Sequence, residues 1–138
     1  MSSELSVGKS LSEFHKTFMY PQGVPYEPFE IPLVKNYWTD EKPSLLALRK
    51  KLIEEEVAEL MEALTTNNTE EILKELVDVV FVCAGMADTY GWNFDEAFKR
   101  VHKSNMSKVD KKGKPKYRAD GKLLKGENYK PPSLVDLV

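Results

Sequence analysis

With 138 residues, 41% hydrophobic and 30% charged, the chain has the balance of an ordinary soluble globular protein with one modest core. A net charge of −2 gives no strong pull toward nucleic acid or lipid, and no apolar run approaches the ~18 residues a membrane span requires. The single cysteine, Cys83, excludes an internal disulfide, and the opening Met1-Ser2-Ser3-Glu4-Leu5 lacks the basic and apolar blocks of a secretory signal, so a reducing cytoplasm is the expected setting.

The first predicted element spans about 5–19, where Leu11, Phe14 and Phe18 recur at helical spacing. Between Tyr20 and Pro43 the prolines 21, 25, 28, 32 and 43 exclude helix, because proline lacks a backbone donor and restricts the residue before it. Tyr20, Tyr26, Phe29, Tyr37 and Trp38 in the same stretch mark an arm that packs on something. A second helix is predicted from Ser44 to Leu64. Asn67-Asn68-Thr69 breaks it, with Thr69 as the expected N-cap of a third helix over 70–90 that stops at Gly91. Asn93 caps a fourth, running to about Ser107. Asp120-Gly121 between two short runs, Lys116 to Leu124, signals a small β-hairpin, and Pro131-Pro132 ends regular structure. The whole reads as one all-α domain: helix and arm over 1–43, helical core over 44–107, and a basic tail over 108–138. That tail has nine bases against four acids, a net of +5, which leaves −7 on the remainder.

The anomaly lies in the second and third helices. On a wheel turning about 100° per residue, Glu56 falls among Leu45, Leu52, Leu60 and Ala63, with Glu59 about 60° away. In the third helix Glu75 falls among Val79, Val82 and Met86, with Asp78 about 60° away. Both pairs therefore sit inside the stripes that should face the core. An unpaired buried carboxylate costs several kcal/mol, and two helices joined by a short loop pack antiparallel, so the four acids should converge. A shared cation relieves their repulsion. All four are hard oxygen donors with no Cys or His beside them, which suits Mg²⁺ or Mn²⁺ and a phosphate-bearing partner. Glu54, Glu70 and Glu71 read instead as a solvated face.

Glu55-Glu56-x-x-Glu59, then after fifteen residues Glu75-x-x-Asp78, resembles the signature of the all-α nucleotide pyrophosphohydrolases. That superfamily includes the MazG-like proteins, dimeric dUTPases, dCTP pyrophosphatase and phosphoribosyl-ATP pyrophosphatase. Asn105-Met106-Ser107-Lys108 and the Lys- and Gly-rich tail look most like the small single-domain MazG-like proteins, the resemblance covering about 45–132. It implies Mg²⁺-dependent cleavage of a nucleoside triphosphate to the monophosphate and pyrophosphate. Glu56, Glu59, Glu75 and Asp78 would be metal ligands, and Glu55 or Glu56 the acceptor of the attacking water's proton. Asn105 and Lys108 would contact substrate. Lys51, one turn before Glu55, is a further candidate for phosphate, and His15 (with Phe14 and Phe18) or Trp38 for the base. An unusually apolar third helix leads to the expectation of a homodimer or homotetramer with sites near subunit interfaces. A phosphoribosyl-ATP pyrophosphatase-like enzyme and a non-catalytic nucleic-acid-binding helical module are the rival readings.

Overall fold

The computed structural model describes residues 4–27 and 44–138. They form four α-helices: α1 (Val7–Thr17), α2 (Leu45–Ala63), α3 (Thr69–Thr89) and α4 (Phe94–Met106). Contacts group the chain into two compact units, 1–92 and 93–138. α4 and the basic tail fall together in the second. Phe29, Tyr37 and Trp38 of the arm, with prolines 28, 32 and 43, lie outside the described residues.

In the first unit α3 is central, packing against both α1 and α2. Small residues make this possible: Ala84, Gly85 and Ala87 are buried. A Cβ on Gly85 would lie 3.3 Å from Leu11 Cδ1 and would overlap the Arg49 guanidinium. Arg49, itself buried, donates from Nη2 to the Val82 carbonyl at 3.0 Å. Phe14 of α1 meets Phe81 of α3 edge-on at 5.1 Å.

Local chemistry sets the helix ends. Ser6, Ser44, Asn68 and Asn93 each accept a hydrogen bond from the backbone N–H three residues on. Asn68, not Thr69, is therefore the cap of α3. Its carbonyl already takes the first helical bond, from Ile72 N, which leaves Thr69 inside the first turn. α3 stops where Gly91 adopts φ +73°, with Gly91 N donating to the Asp88 carbonyl at 3.1 Å and Trp92 N to that of Ala87 at 2.8 Å. The start of the arm is tied to this same end. Gly23 N and Val24 N donate to the carbonyls of Asp88 and Thr89, and the Tyr26 ring packs on Tyr90 and Trp92.

The second unit is a helix with a folded tail. Arg100 grips Asp136 through two hydrogen bonds, of 2.6 and 3.0 Å. Ser104 Oγ donates to the Lys130 carbonyl at 2.7 Å, and Lys130 N donates back to Ser107 Oγ at 2.9 Å. The Asp120-Gly121 turn is present: Arg118 N donates to the Lys122 carbonyl, Leu124 N to that of Lys116, and Gly121 takes φ +91°. Among the described residues the pairing amounts to a single antiparallel bridge, Tyr117 with Leu123, so the expected hairpin is a turn without strands. Regular structure also extends past Pro131-Pro132, into a short 3₁₀ turn over Val135–Leu137.

Candidate functional site

Antiparallel packing of α2 on α3 brings three of the four core-side acids together. One ligand oxygen each from Glu56, Glu75 and Asp78 lies within 4.8 Å of the others. Glu75 is buried at 4% exposure, while Glu56 and Asp78 are half-buried. Among the described residues, Glu56 Oε2 and Glu75 Oε2 are both buried without a hydrogen-bond partner. An ionised carboxylate oxygen so placed is unfavourable by the desolvation of its charge, so the arrangement is incomplete in protein atoms alone.

Glu59 stands at the margin, exposed, and lines a cavity of about 300 Å³ with Glu62, Ala63, Thr66, Glu71 and Glu75. The acids lean on one another. Burial raises the Glu56 pKa above the ordinary carboxylate value, with the neighbouring Glu59 carboxylate adding to the rise. Glu71 is raised as well, chiefly by its hydrogen bond with the Glu75 carboxyl. A proton is one way to relieve such crowding, and a divalent cation bound by hard oxygen donors is the other. The all-oxygen donor set and the two orphaned buried oxygens fit a hard divalent ion.

One native cation touches the group. Lys74 Nζ lies 3.2 Å from Glu75 Oε1 and 3.0 Å from Asp78 Oδ2, and these contacts raise its pKa, Asp78 first. Neither Lys74 nor Glu71 stands out in sequence as a site residue. The available signal was spacing: Lys74 precedes Asp78, and Glu71 precedes Glu75, by one helical turn.

Glu55 and Lys51 are exposed on α2. Asn105, exposed at the end of α4, and Lys108, half-buried just beyond it, belong to the second unit. His15 is 2% exposed, with Nδ1 2.8 Å from Asp88 Oδ2, and Gln22 donates to the same carboxylate oxygen at 2.9 Å. Its ring thus joins α1 to the far end of α3.

A family model described as phosphoribosyl-ATP pyrophosphohydrolase matches residues 11–105, an interval that takes in α2, α3 and the whole acidic group. The chain belongs to the phosphoribosyl-ATP pyrophosphohydrolase family. That family is part of the all-α MazG-like superfamily. The match favours the phosphoribosyl-ATP branch over the small MazG-like proteins as the nearer comparison. A similar protein, "Uncharacterized protein L479" of Acanthamoeba polyphaga mimivirus, is 33% identical over 109 residues, covering 79% of this chain. The chain spans 38% of that relative's length. Its acidic group is a candidate divalent-metal centre. Among the described residues no helix is long and apolar enough to cross a membrane.

Proposed function

We propose that this protein hydrolyses the α–β anhydride of a nucleoside 5′-triphosphate group, releasing pyrophosphate, with phosphoribosyl-ATP as the first substrate to test. The carrying observation is the convergence of Glu56, Glu75 and Asp78 within 4.8 Å, with two buried oxygens that find no donor among the described residues. Glu56, Glu75 and Asp78 would hold the ion, with Glu59 completing the set. Bound Mg²⁺, or Mn²⁺ in its place, neutralises phosphate oxygens and stabilises the charge that develops as the anhydride breaks.

The remaining roles fall to the chain. Glu56 is the better placed proton acceptor for the attacking water. It stands in the group and offers the ion one oxygen, which leaves the other for the water, whereas Glu55 is exposed. Asn105 and Lys108 are proposed to contact the substrate, with Lys51 as a further phosphate contact; the burial of His15 supports a framework role over a base-reading one. We also propose a homo-oligomer. Val57, Met61 and Leu64 on α2, and Leu73, Leu76, Val77 and Val80 on α3, form helical stripes left 36–63% exposed.

The test is pyrophosphate release with Mg²⁺ from phosphoribosyl-ATP, ATP and the four deoxynucleoside triphosphates, by wild type and Glu75→Gln. Turnover by wild type and its loss in the variant are expected. Preference for a plain triphosphate would move the assignment to the MazG-like branch. Equal activity of both proteins would remove the acidic group from the mechanism.

A further inference from the structure

The ammonium group of Lys74 faces two of the three grouped carboxylates, at 3.2 Å from Glu75 Oε1 and 3.0 Å from Asp78 Oδ2. Its side chain is 60% exposed, so it reaches the acids from the solvent side on a flexible stem. Lys74 holds Glu75 Oε1, the other oxygen of the carboxylate whose Oε2 finds no partner among the described residues, so a divalent ion bound by Glu75 and Asp78 at about 2.0–2.1 Å would meet a positive charge one carboxylate away and be repelled by it. From this geometry we infer that Lys74 is an intramolecular rival of the metal. Its ammonium leaves Glu75 and Asp78 when the ion binds, and then turns to the polyphosphate the ion carries. The inference rests on the metal reading of the acidic group. It adds that the chain tunes its own affinity for the ion, and that the displaced charge becomes a substrate contact.

The stem supports both positions. Lys74 is fixed to α3 immediately before Glu75, so a group that leaves the acids stays within a side chain's length of whatever they hold. An ammonium freed from two carboxylates beside a polyphosphate finds the strongest acceptors available to it. Substitution should leave the fold intact, because Lys74 is exposed and its carboxylate partners lie on its own helix.

The test is Mn²⁺ binding without nucleotide, followed by electron paramagnetic resonance, for wild type, Lys74→Gln and Lys74→Arg. Lys74→Gln is expected to bind Mn²⁺ about tenfold more tightly, the order of effect of deleting one positive charge at this range in a partly solvated site. Lys74→Arg, which keeps the charge, should stay near wild type. At saturating Mn²⁺, KM for the triphosphate should rise several-fold in Lys74→Gln. Equal or weaker Mn²⁺ binding by Lys74→Gln would overturn the rivalry and make Lys74 a surface ion pair. Tighter binding with unchanged KM would overturn the phosphate contact. Wild type that binds no Mn²⁺ would instead overturn the metal reading beneath both.

Discussion

Glu75 is the residue on which charge, burial and chemistry meet. Replacing it with Gln keeps the shape and deletes the charge, so metal-dependent activity should fall by more than about 100-fold. Stability in chelator should hold or rise, because a buried charge facing Glu56 and Asp78 is removed. Thermal melts would check the second half: added Mn²⁺ should raise the midpoint of wild type by mass action and leave Glu75→Gln unmoved. Asp88 is the opposite case. Its carboxylate accepts from both His15 and Gln22; Gln22 keeps Ser12 as an acceptor, but Asp88→Ala leaves the buried His15 Nδ1 without its partner and should cost about 1–3 kcal/mol in urea denaturation. The acids of the site were legible in the sequence because Glu56, Glu75 and Asp78 interrupt apolar stripes. Lys74 and Glu71 were not, because a charge one turn from another looks the same whether it closes a site or faces water. His15 could not be placed either, since its partner stands 73 residues away.

Among elements, the α2–α3 hairpin sets the geometry of the acidic group, and its turn is where a small change would propagate. Asn68→Ala should destabilise the protein by about 1 kcal/mol, whereas Thr69→Ala should cost much less, because Asn68 Oδ1 accepts from Glu71 N at 3.1 Å. Paired urea melts would separate them. The four helices were readable from apolar spacing and cap residues to within about two positions, the uncertainty expected of frayed ends. The cap itself was ambiguous because Asn68 and Thr69 are both good N-caps, and only the backbone path chooses between them. The hairpin signal gave a turn alone, since the short runs beside Asp120-Gly121 are mostly exposed. At the C-terminus, bonding to Arg100 holds the Asp136 carboxyl below its ordinary value. Its contribution is therefore full above the unfolded value of 3.8 and is lost only as pH falls through the lower, folded one. Proteolysis of the 134–138 segment should be flat across neutrality and rise only in strong acid. Asp136→Ala should make it sensitive at pH 7.

For the whole molecule, the apolar stripes on α2 and α3 make self-association the expectation. Sedimentation equilibrium should give a multiple of 15.8 kDa, and Leu76→Glu, in the middle of the α3 stripe, should lower it. A wild-type monomer would refute this. The tail was legible as basic but not as folded, because the bonds that tie it to α4 come from Ser104, Ser107 and Arg100, whose types carry no tertiary signal. The length of α3 has a consequence of its own. Glu75 and Asp88 are thirteen positions apart on one helix, about 20 Å at the usual rise. Perturbations that far apart add independently. The end held by His15 and Asp88 can therefore accept changes that leave the acidic group as it is. Lineages could in this way rebuild the framework at one end of the rod without disturbing the carboxylates at the other.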